Sequence, residues 1–258
     1  MIKKFHTKTI FSILISISLV FVAFLVTPTA TGMTTTTIYV EPQSIIMRME
    51  ENFSVNITIA NVADLCGWDF RLYYSNSVLN GTDITEGSFL KTGRNTYFYV
   101  ANFTDTYNAT HGLIRAVCTL FEPTGVNGGG DLAKIGFKAK GTGETSLKLA
   151  DTIIVDSAFP PNEIPHVADD GLVRIAKFGD FGSPVNYVPT FFVFDGEVEG
   201  FDLALFIHCY KELAPSEAMR LADLGSPVNY IPTFFAFDGV IDGYDLALFT
   251  ACYKELGP

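Results

Sequence analysis

Trp68-Asp69-Phe70-Arg71-Leu72-Tyr73-Tyr74 places Trp68, Phe70, Leu72 and Tyr74 on one side of a two-residue period and Asp69, Arg71 and Tyr73 on the other. An extended chain points successive side chains to opposite faces, so this stretch reads as a strand with one buried face. The period recurs on both sides of it. Phe53, Val55, Ile57 and Ile59 alternate with Ser54, Asn56 and Thr58, and Ala133, Ile135, Phe137 and Ala139 alternate with Lys134, Gly136 and Lys138. Further strands are expected at 38–41, 97–101, 113–120, 146–149 and 172–175. Asn80-Gly81, Thr92-Gly93, Gly128-Gly129-Gly130 and Gly141-Thr142-Gly143 read as the turns between them. About nine short strands in roughly 140 residues predict a mainly β fold, an antiparallel, jelly-roll-like sandwich of two sheets. Trp68 shares its face with Phe70, Leu72 and Tyr74, which assigns it to the core rather than to a sugar-stacking platform.

The chain has 258 residues, 48% hydrophobic and 17% charged, so it is too apolar for a disordered polymer. Seventeen Lys and Arg against 28 Asp and Glu give a formal charge of -11, which disfavours nucleic acid and anionic membranes as partners. At the N-terminus Lys3, Lys4 and Lys8 precede an uncharged apolar run over 9–26, and small residues follow to Gly32. That order predicts a secretory signal over 1–32, with an uncleaved membrane anchor as the alternative. The protein is therefore expected outside the cell or on its surface. Asn-x-Ser/Thr sequons at Asn52, Asn56, Asn80, Asn102 and Asn108 cluster in one stretch and suggest a glycosylated exterior. The cysteines are Cys66, Cys118, Cys209 and Cys252. An exported chain can join them as two disulfides, in three possible connectivities. Bridges 66–118 and 209–252 are favoured, because the first pair shares the β-rich part and the second is repeat-equivalent. The alternative is four buried thiols packed as small apolar side chains.

The sandwich carries a resemblance. Asn61-Val62-Ala63-Asp64-Leu65-Cys66-Gly67-Trp68-Asp69-Phe70-Arg71-Leu72-Tyr73-Tyr74, closing on Val78-Leu79, resembles the early strands of cohesin domains. Gly129-Gly130-Asp131-Leu132-Ala133-Lys134-Ile135-Gly136-Phe137-Lys138-Ala139-Lys140 is similar to a later cohesin strand, and Asp170-Gly171-Leu172-Val173-Arg174-Ile175 to the terminal one. The likeness spans 36–176. It implies a non-catalytic receptor that binds a dockerin-bearing protein through a sheet face rather than a pocket.

The C-terminal part repeats itself. Residues 180–215 recur at 223–258, offset by 43, with 26 of 36 positions identical. Two copies are too few for a solenoid and fit two units packed about a pseudo-two-fold axis. Each copy has an acidic loop, Asp195-Gly196-Glu197-Val198-Glu199-Gly200-Phe201-Asp202 or Asp238-Gly239-Val240-Ile241-Asp242-Gly243-Tyr244-Asp245, and then a helix, 203–213 or 246–256. A short helix from Ser216, its expected N-cap, to Ala222 links the copies. The unit resembles the second half of an EF-hand loop, and the pair resembles a dockerin over 178–258, which implies docking on cohesin-bearing proteins and calcium binding. The implied ligands are Asp195, Glu197, Glu199 and Asp202 in the first loop and Asp238, Asp242 and Asp245 in the second. The sequence departs from the pattern, since Phe191, Val193, Phe234 and Ala236 occupy the two earliest ligand positions. Asp180 and Asp223, each 15 residues before the loop aspartate, would supply the first position, with Gly-Ser-Pro-Val-Asn-Tyr as an insertion. Asp202 and Asp245 have an alternative role as N-caps of the helices.

Phosphate-loop glycines, Cys-x-x-Cys, His-Glu-x-x-His and Gly-x-Ser-x-Gly are absent, which argues against an enzyme. The expectation is an extracellular adaptor for polysaccharide handling, with head-to-tail self-association as one mode. A carbohydrate-binding module and a structural envelope protein are the rivals.

Overall fold

The computed structural model describes residues 35–254 apart from 93, 178, 183, 186–187, 190, 193, 195–196, 212, 229–230 and 235–237, and it does not describe the side chains of 183–190, 225–237 and 253–254. The expected signal, 1–32, and the loop pair Asp195-Gly196 lie outside the described residues. Residues 35–258 cluster as one compact unit, so the sandwich and the tail belong to the same body.

The first part is a two-sheet sandwich. One sheet orders β10 (Val167–Asp169), β1 (Thr37–Glu41), β3 (Asn52–Leu65), β8 (Val126–Ala139) and β5 (Leu79–Glu86). The other orders β2 (Ser44–Arg48), β11 (Gly171–Ala176), β9 (Gly143–Val155), β4 (Gly67–Ser75), β7 (His111–Leu120) and β6 (Thr96–Thr104). Along β4 burial alternates as the period predicts, and Trp68, Phe70, Leu72 and Tyr74 are each at most 3% exposed. They meet Ile57, Ile135 and Phe137 of the facing sheet in one apolar core. Tyr74 packs edge-on against Phe137 at 5.1 Å and spends its hydroxyl on Asp105 Oδ1 at 2.6 Å, so the ring is buried with its polar end satisfied.

Several expectations are corrected. The sandwich is not wholly antiparallel: β1 pairs with β10 and β2 with β11 in parallel. The N-terminal stretch divides into β1 and β2, one for each sheet, and each lies beside a late strand running the same way. Asn80-Gly81 is not a turn but the start of β5, where a bulge between Gly81 and Asp83 absorbs the extra residue. Gly128-Gly129-Gly130 lies inside β8, where register shifts bend the strand around Ile59 and Val62. A Cβ at Gly129 would stand 2.7 Å from the Ile59 carbonyl oxygen, so glycine there serves close backbone approach.

Among the described residues the tail holds two hairpins and three helices. Hairpin β12 (Pro184–Val185) and β13 (Val188–Pro189) precedes α1 (Gly200–Tyr210); α2 (Ser216–Ala222) follows; then come hairpin β14 (Gly225–Val228) and β15 (Ile231–Phe234) and helix α3 (Gly243–Lys254). The two hairpins occupy equivalent places in the two copies, on the stretch expected as an insertion. Helix α1 starts three residues earlier than predicted, with Glu199 as N-cap and Asp202 inside the first turn as the second member of a capping box. Pro215, not Ser216, is the N-cap of α2. The tail has its own apolar cluster around Phe181, Phe206 and Phe249. Phe206 and Phe249 are repeat equivalents and stack on each other at 5.0 Å.

Candidate functional site

The outer face of the six-stranded sheet is built by side-chain parity. Register puts Tyr99 of β6 opposite Val117 of β7, Val117 opposite Asp69 of β4, and Asp69 opposite Ile153 of β9. This row crosses four strands and points away from the core. Tyr97 extends it, its ring parallel to Tyr99 at 6.4 Å and 6.5 Å from Phe121. Tyr97, Tyr99, Phe121 and Ile153 are 55, 54, 68 and 44% exposed. These residues form an apolar surface on the outer face of the sheet, the kind of patch that marks an interaction site.

A charged row runs beside it. Arg71 and Arg115 are directly opposite across β4 and β7, which would repel on a bare sheet. Arg115 Nη2 lies 2.6 Å from Asp69 Oδ2, and that hydrogen-bonded carboxylate raises the Arg115 pKa. Arg71 pairs with Asp151. Asp151 has φ 46°, a left-handed backbone uncommon outside glycine, beside the bulge where β9 slips against β4. Tyr107 lies edge-on to Tyr73 at 5.7 Å, farther along the same face. Trp68 is buried and takes no part in this surface. Sequence reasoning passed over Tyr97 and Tyr99 because it read 97–101 only as a strand; the exposed parity of two tyrosines in a Thr-rich stretch was the available signal.

The tail carboxylates do structural work. Asp202 Oδ1 accepts from the Phe181 and Gly182 amides at 2.8 and 3.2 Å, and its Oδ2 from the Glu199 amide at 2.7 Å. Asp245 repeats this, accepting from Leu224 N at 2.7 Å and Asp242 N at 2.8 Å. Each helix start is thereby laced to the residue after Asp180 or Asp223. Asp238 and Asp242 accept from the amides of Val240 and Tyr244. Asp223 is 5% exposed and accepts from Gly239 N at 2.9 Å through Oδ2, while its Oδ1 is buried with no hydrogen-bond partner. Asp180 is 1% exposed, Glu197 is on the surface and Glu199 is half-buried. Among the described residues no three metal-ligating side chains converge.

The tail is clasped to the sandwich. Arg48 of β2, 4% exposed, donates to the Asp223 carbonyl at 2.6 Å and to the Arg220 carbonyl, both at the C-terminal end of α2. Burial pulls its pKa down while Glu51 pushes it back up. In return Arg220 of α2 reaches Glu51 with two contacts of 3.1 Å and donates to the Ile46 carbonyl. β2 is an edge strand, so α2 covers that edge.

The remaining expected sites are placed as follows. Asn52 and Asn108 are exposed, while Asn56, Asn80 and Asn102 are half-buried. Asn56 Nδ2 donates to Asp131 Oδ2 at 3.1 Å. All four cysteines are thiols, and neither favoured bridge is formed. Cys118 stands directly opposite Trp68, so Cys66 is its diagonal neighbour. Diagonal neighbours are about 7–8 Å apart, and a disulfide prefers closer Cα atoms. Cys118 Sγ lies 3.5 Å from Glu86 Oε1, and Cys209 Sγ 3.5 Å from the Ala218 carbonyl. Burial pushes both thiols up to about 12, and Glu86 adds to the shift at Cys118. No described helix is long and apolar enough to cross a membrane.

A two-sheet sandwich with an apolar and charged outer face defines an interaction module. A family model described as the cohesin domain matches residues 44–175, and the chain belongs to the cohesin family. Cohesins are non-catalytic interaction modules. Solved structures similar to it include a non-cellulosomal cohesin from Archaeoglobus fulgidus, 22% identical, covering 55% of this chain and 92% of its own, with a TM-score of 0.45. A type II cohesin domain from the cellulosome of Acetivibrio cellulolyticus is 15% identical over 54% of this chain and 95% of its own, with a TM-score of 0.46. A chain of a type I cohesin–dockerin complex from Clostridium thermocellum is 14% identical over 55% of this chain and 94% of its own, with a TM-score of 0.44. No curated protein matches the chain at a significant level.

Proposed function

We propose that the chain is an exported, non-catalytic adaptor of the extracellular space or cell surface, acting in polysaccharide handling. The outer face of the six-stranded sheet receives a dockerin-bearing protein. Residues 178–258, read as two dockerin-like units, dock on a cohesin-bearing one. The observation that carries this reading is the row Tyr99, Val117, Asp69 and Ile153, an open face with a shallow hollow between Asp69, Val117 and Ile153, flanked by two arginines. Such a face suits a helix pair laid flat, with tyrosines as anchors and arginines at the rim. The test is calorimetric titration of the full chain with isolated dockerin domains. Binding is expected, lost in Tyr99→Asp and kept in Lys138→Ser on the opposite sheet. Retention on cellulose or chitin without dockerin binding would replace the adaptor by a carbohydrate-binding module.

Calcium binding belongs to the same proposal. Its support is the buried Asp223 Oδ1, which has no hydrogen-bond donor. Asp223, Asp238, Asp242 and Asp245 would hold the ion in the second loop, and Asp180, Asp195 and Asp202 in the first. A ligand that binds only the folded state raises its stability by mass action. The full chain is expected to melt higher in calcium than in chelator; equal melting temperatures would end this part of the proposal. N-glycosylation at the five sequons is read by intact mass before and after deglycosylation.

A further inference from the structure

We infer that the folded chain offers one asparagine for N-glycosylation, Asn108, and withholds the other four sequons. The inference rests on the exported, glycosylated reading above and narrows it to a site. Asn108-Ala109-Thr110 lies in the loop between β6 and β7, and all three residues are exposed. The loop holds one side of the Asn108 amide. Its Oδ1 accepts from Thr110 N at 2.9 Å and from His111 N at 2.8 Å, and the Thr110 hydroxyl stands 3.2 Å away. Asn108 N donates to the His111 carbonyl at 3.2 Å, which closes the turn. This is the turn that an asparagine side chain makes with the backbone two residues on. The amide group is planar, so with Oδ1 held by these donors Nδ2 is directed away from them. Among the described residues Nδ2 has no hydrogen-bond acceptor, and it is open to an incoming reagent.

The other four sequons are held in strands. Asn56-Ile57-Thr58 lies in β3, paired to β1 on one side and β8 on the other, with Ile57 fully buried and Asn56 Nδ2 already donating to Asp131. Asn52-Phe53-Ser54 begins the same strand opposite Lys138, Phe137 and Gly136, and the Phe53 ring stacks on Phe137 at 5.7 Å. Asn80-Gly81-Thr82 is in β5, where Asn80 faces Lys138 and the Gly81 amide donates to Asp105 Oδ1 at 2.8 Å. Asn102-Phe103-Thr104 pairs with Arg115, Ile114 and Leu113 of β7. A transferase must draw the asparagine and the hydroxyl residue two positions on into its own site, so a sequon in a ladder reacts only while its strand is open. The step is a displacement on a sugar joined to a lipid through a diphosphate. Nδ2 attacks C1 of the sugar, the N–C1 bond forms and the C1–O bond breaks. The lipid diphosphate leaves with the bonding pair, and one Nδ2 proton passes to a base of the transferase. The product is bulky and solvated, which an exposed loop accommodates and a paired strand does not.

The test incubates the folded full chain, produced without glycan, with a single-subunit oligosaccharyltransferase and a lipid-diphosphate sugar. Short peptides, one for each sequon, are run beside it. Glycopeptide mass spectrometry reads the rate at each site, and dividing the folded-chain rate by the peptide rate removes the transferase's own sequence preference. The ratio at Asn108 is expected to exceed that at each of Asn52, Asn56, Asn80 and Asn102 by at least about tenfold. Intact mass should then show a single glycan on each chain, and none on Asn108→Gln, whose fold is checked by circular dichroism and melting. A strand sequon whose ratio comes within tenfold of that at Asn108, or a glycan on folded Asn108→Gln, overturns the inference. Failure of the reading beneath it is seen elsewhere: a chain exported by its own cells that carries no glycan at any of the sequons overturns the glycosylation reading itself, whatever the ratios.

Discussion

Replacing Arg48 by methionine isolates what holds the tail on the sandwich. The side chain is 4% exposed and donates to two carbonyls at the end of α2, those of Arg220 and Asp223. A hydrogen bond from a charged donor contributes about 1.5–3 kcal/mol, so the pair contributes about 3–6 kcal/mol before costs. Against this stands the desolvation of a guanidinium, visible in its lowered pKa. Methionine keeps most of the volume and removes both the bonds and that cost. The expected net loss is about 2–4 kcal/mol, confined to the attachment of α2. At 1.4 kcal/mol per tenfold, local opening of α2 should become about 30- to 1,000-fold more frequent. Native-state hydrogen exchange reads this directly: the amides of Ser216–Ala222 should speed up by that factor while those of β4 do not change. Arg220→Met should give a similar result, and the double variant should cost less than the sum, because Glu51 faces both arginines. Exchange in α2 within about threefold of wild type would refute the assignment of the clasp to Arg48.

Three further outcomes follow from local geometry. Gly112→Ala would place a Cβ 2.3 Å from Cζ of Tyr74, a ring held by Asp105 and Phe137, so denaturant unfolding should show a loss of about 1–3 kcal/mol. Asp64 is held below the ordinary aspartate value of 3.8 by the Ser157 hydroxyl first and then by backbone amides, and Asp156 is held low by Asn162. Carboxylates lowered on folding stabilise the protein above their ordinary value and lose that contribution as the pH falls through the lowered one. Stability should therefore fall as the pH drops from the ordinary value of 3.8 through the lowered ones, with a shallower fall in Asp64→Asn. Alkylation of the native protein at neutral pH should label Cys66 and Cys252 before Cys118 and Cys209, as mass spectrometry would record; equal rates would contradict the burial that raises the latter two thiols.

Much of the sandwich was legible because a strand with one buried face writes its own two-residue period. Trp68 to Tyr74 announced both the strand and which side faced the core. The tail's duplication, its helices and its linking helix were legible for a similar reason, since repeat identity and helical spacing are local. Bulges were not legible. Gly81 and Gly128–Gly130 look the same in a turn and in a bent strand, and only the partner strand distinguishes the two cases. Whether Asp202 and Asp245 face an amide depends on where Phe181 and Leu224 return, 21 residues away, which no local pattern shows.

The sequence by itself determined what each short stretch can be: strand, helix, acidic loop, duplicated unit, because period and composition act between near neighbours. Tertiary structure alone decided which surfaces stay open. It put Tyr97 and Tyr99 outward at one edge of a sheet and covered the other edge with α2 through Arg48 and Arg220. The pairing of β2 with α2 joins residues more than 170 positions apart. No local pattern encodes such a contact; it exists because the buried Arg48 and the half-buried Arg220 meet carbonyls and the Glu51 carboxylate that only the folded chain brings within reach.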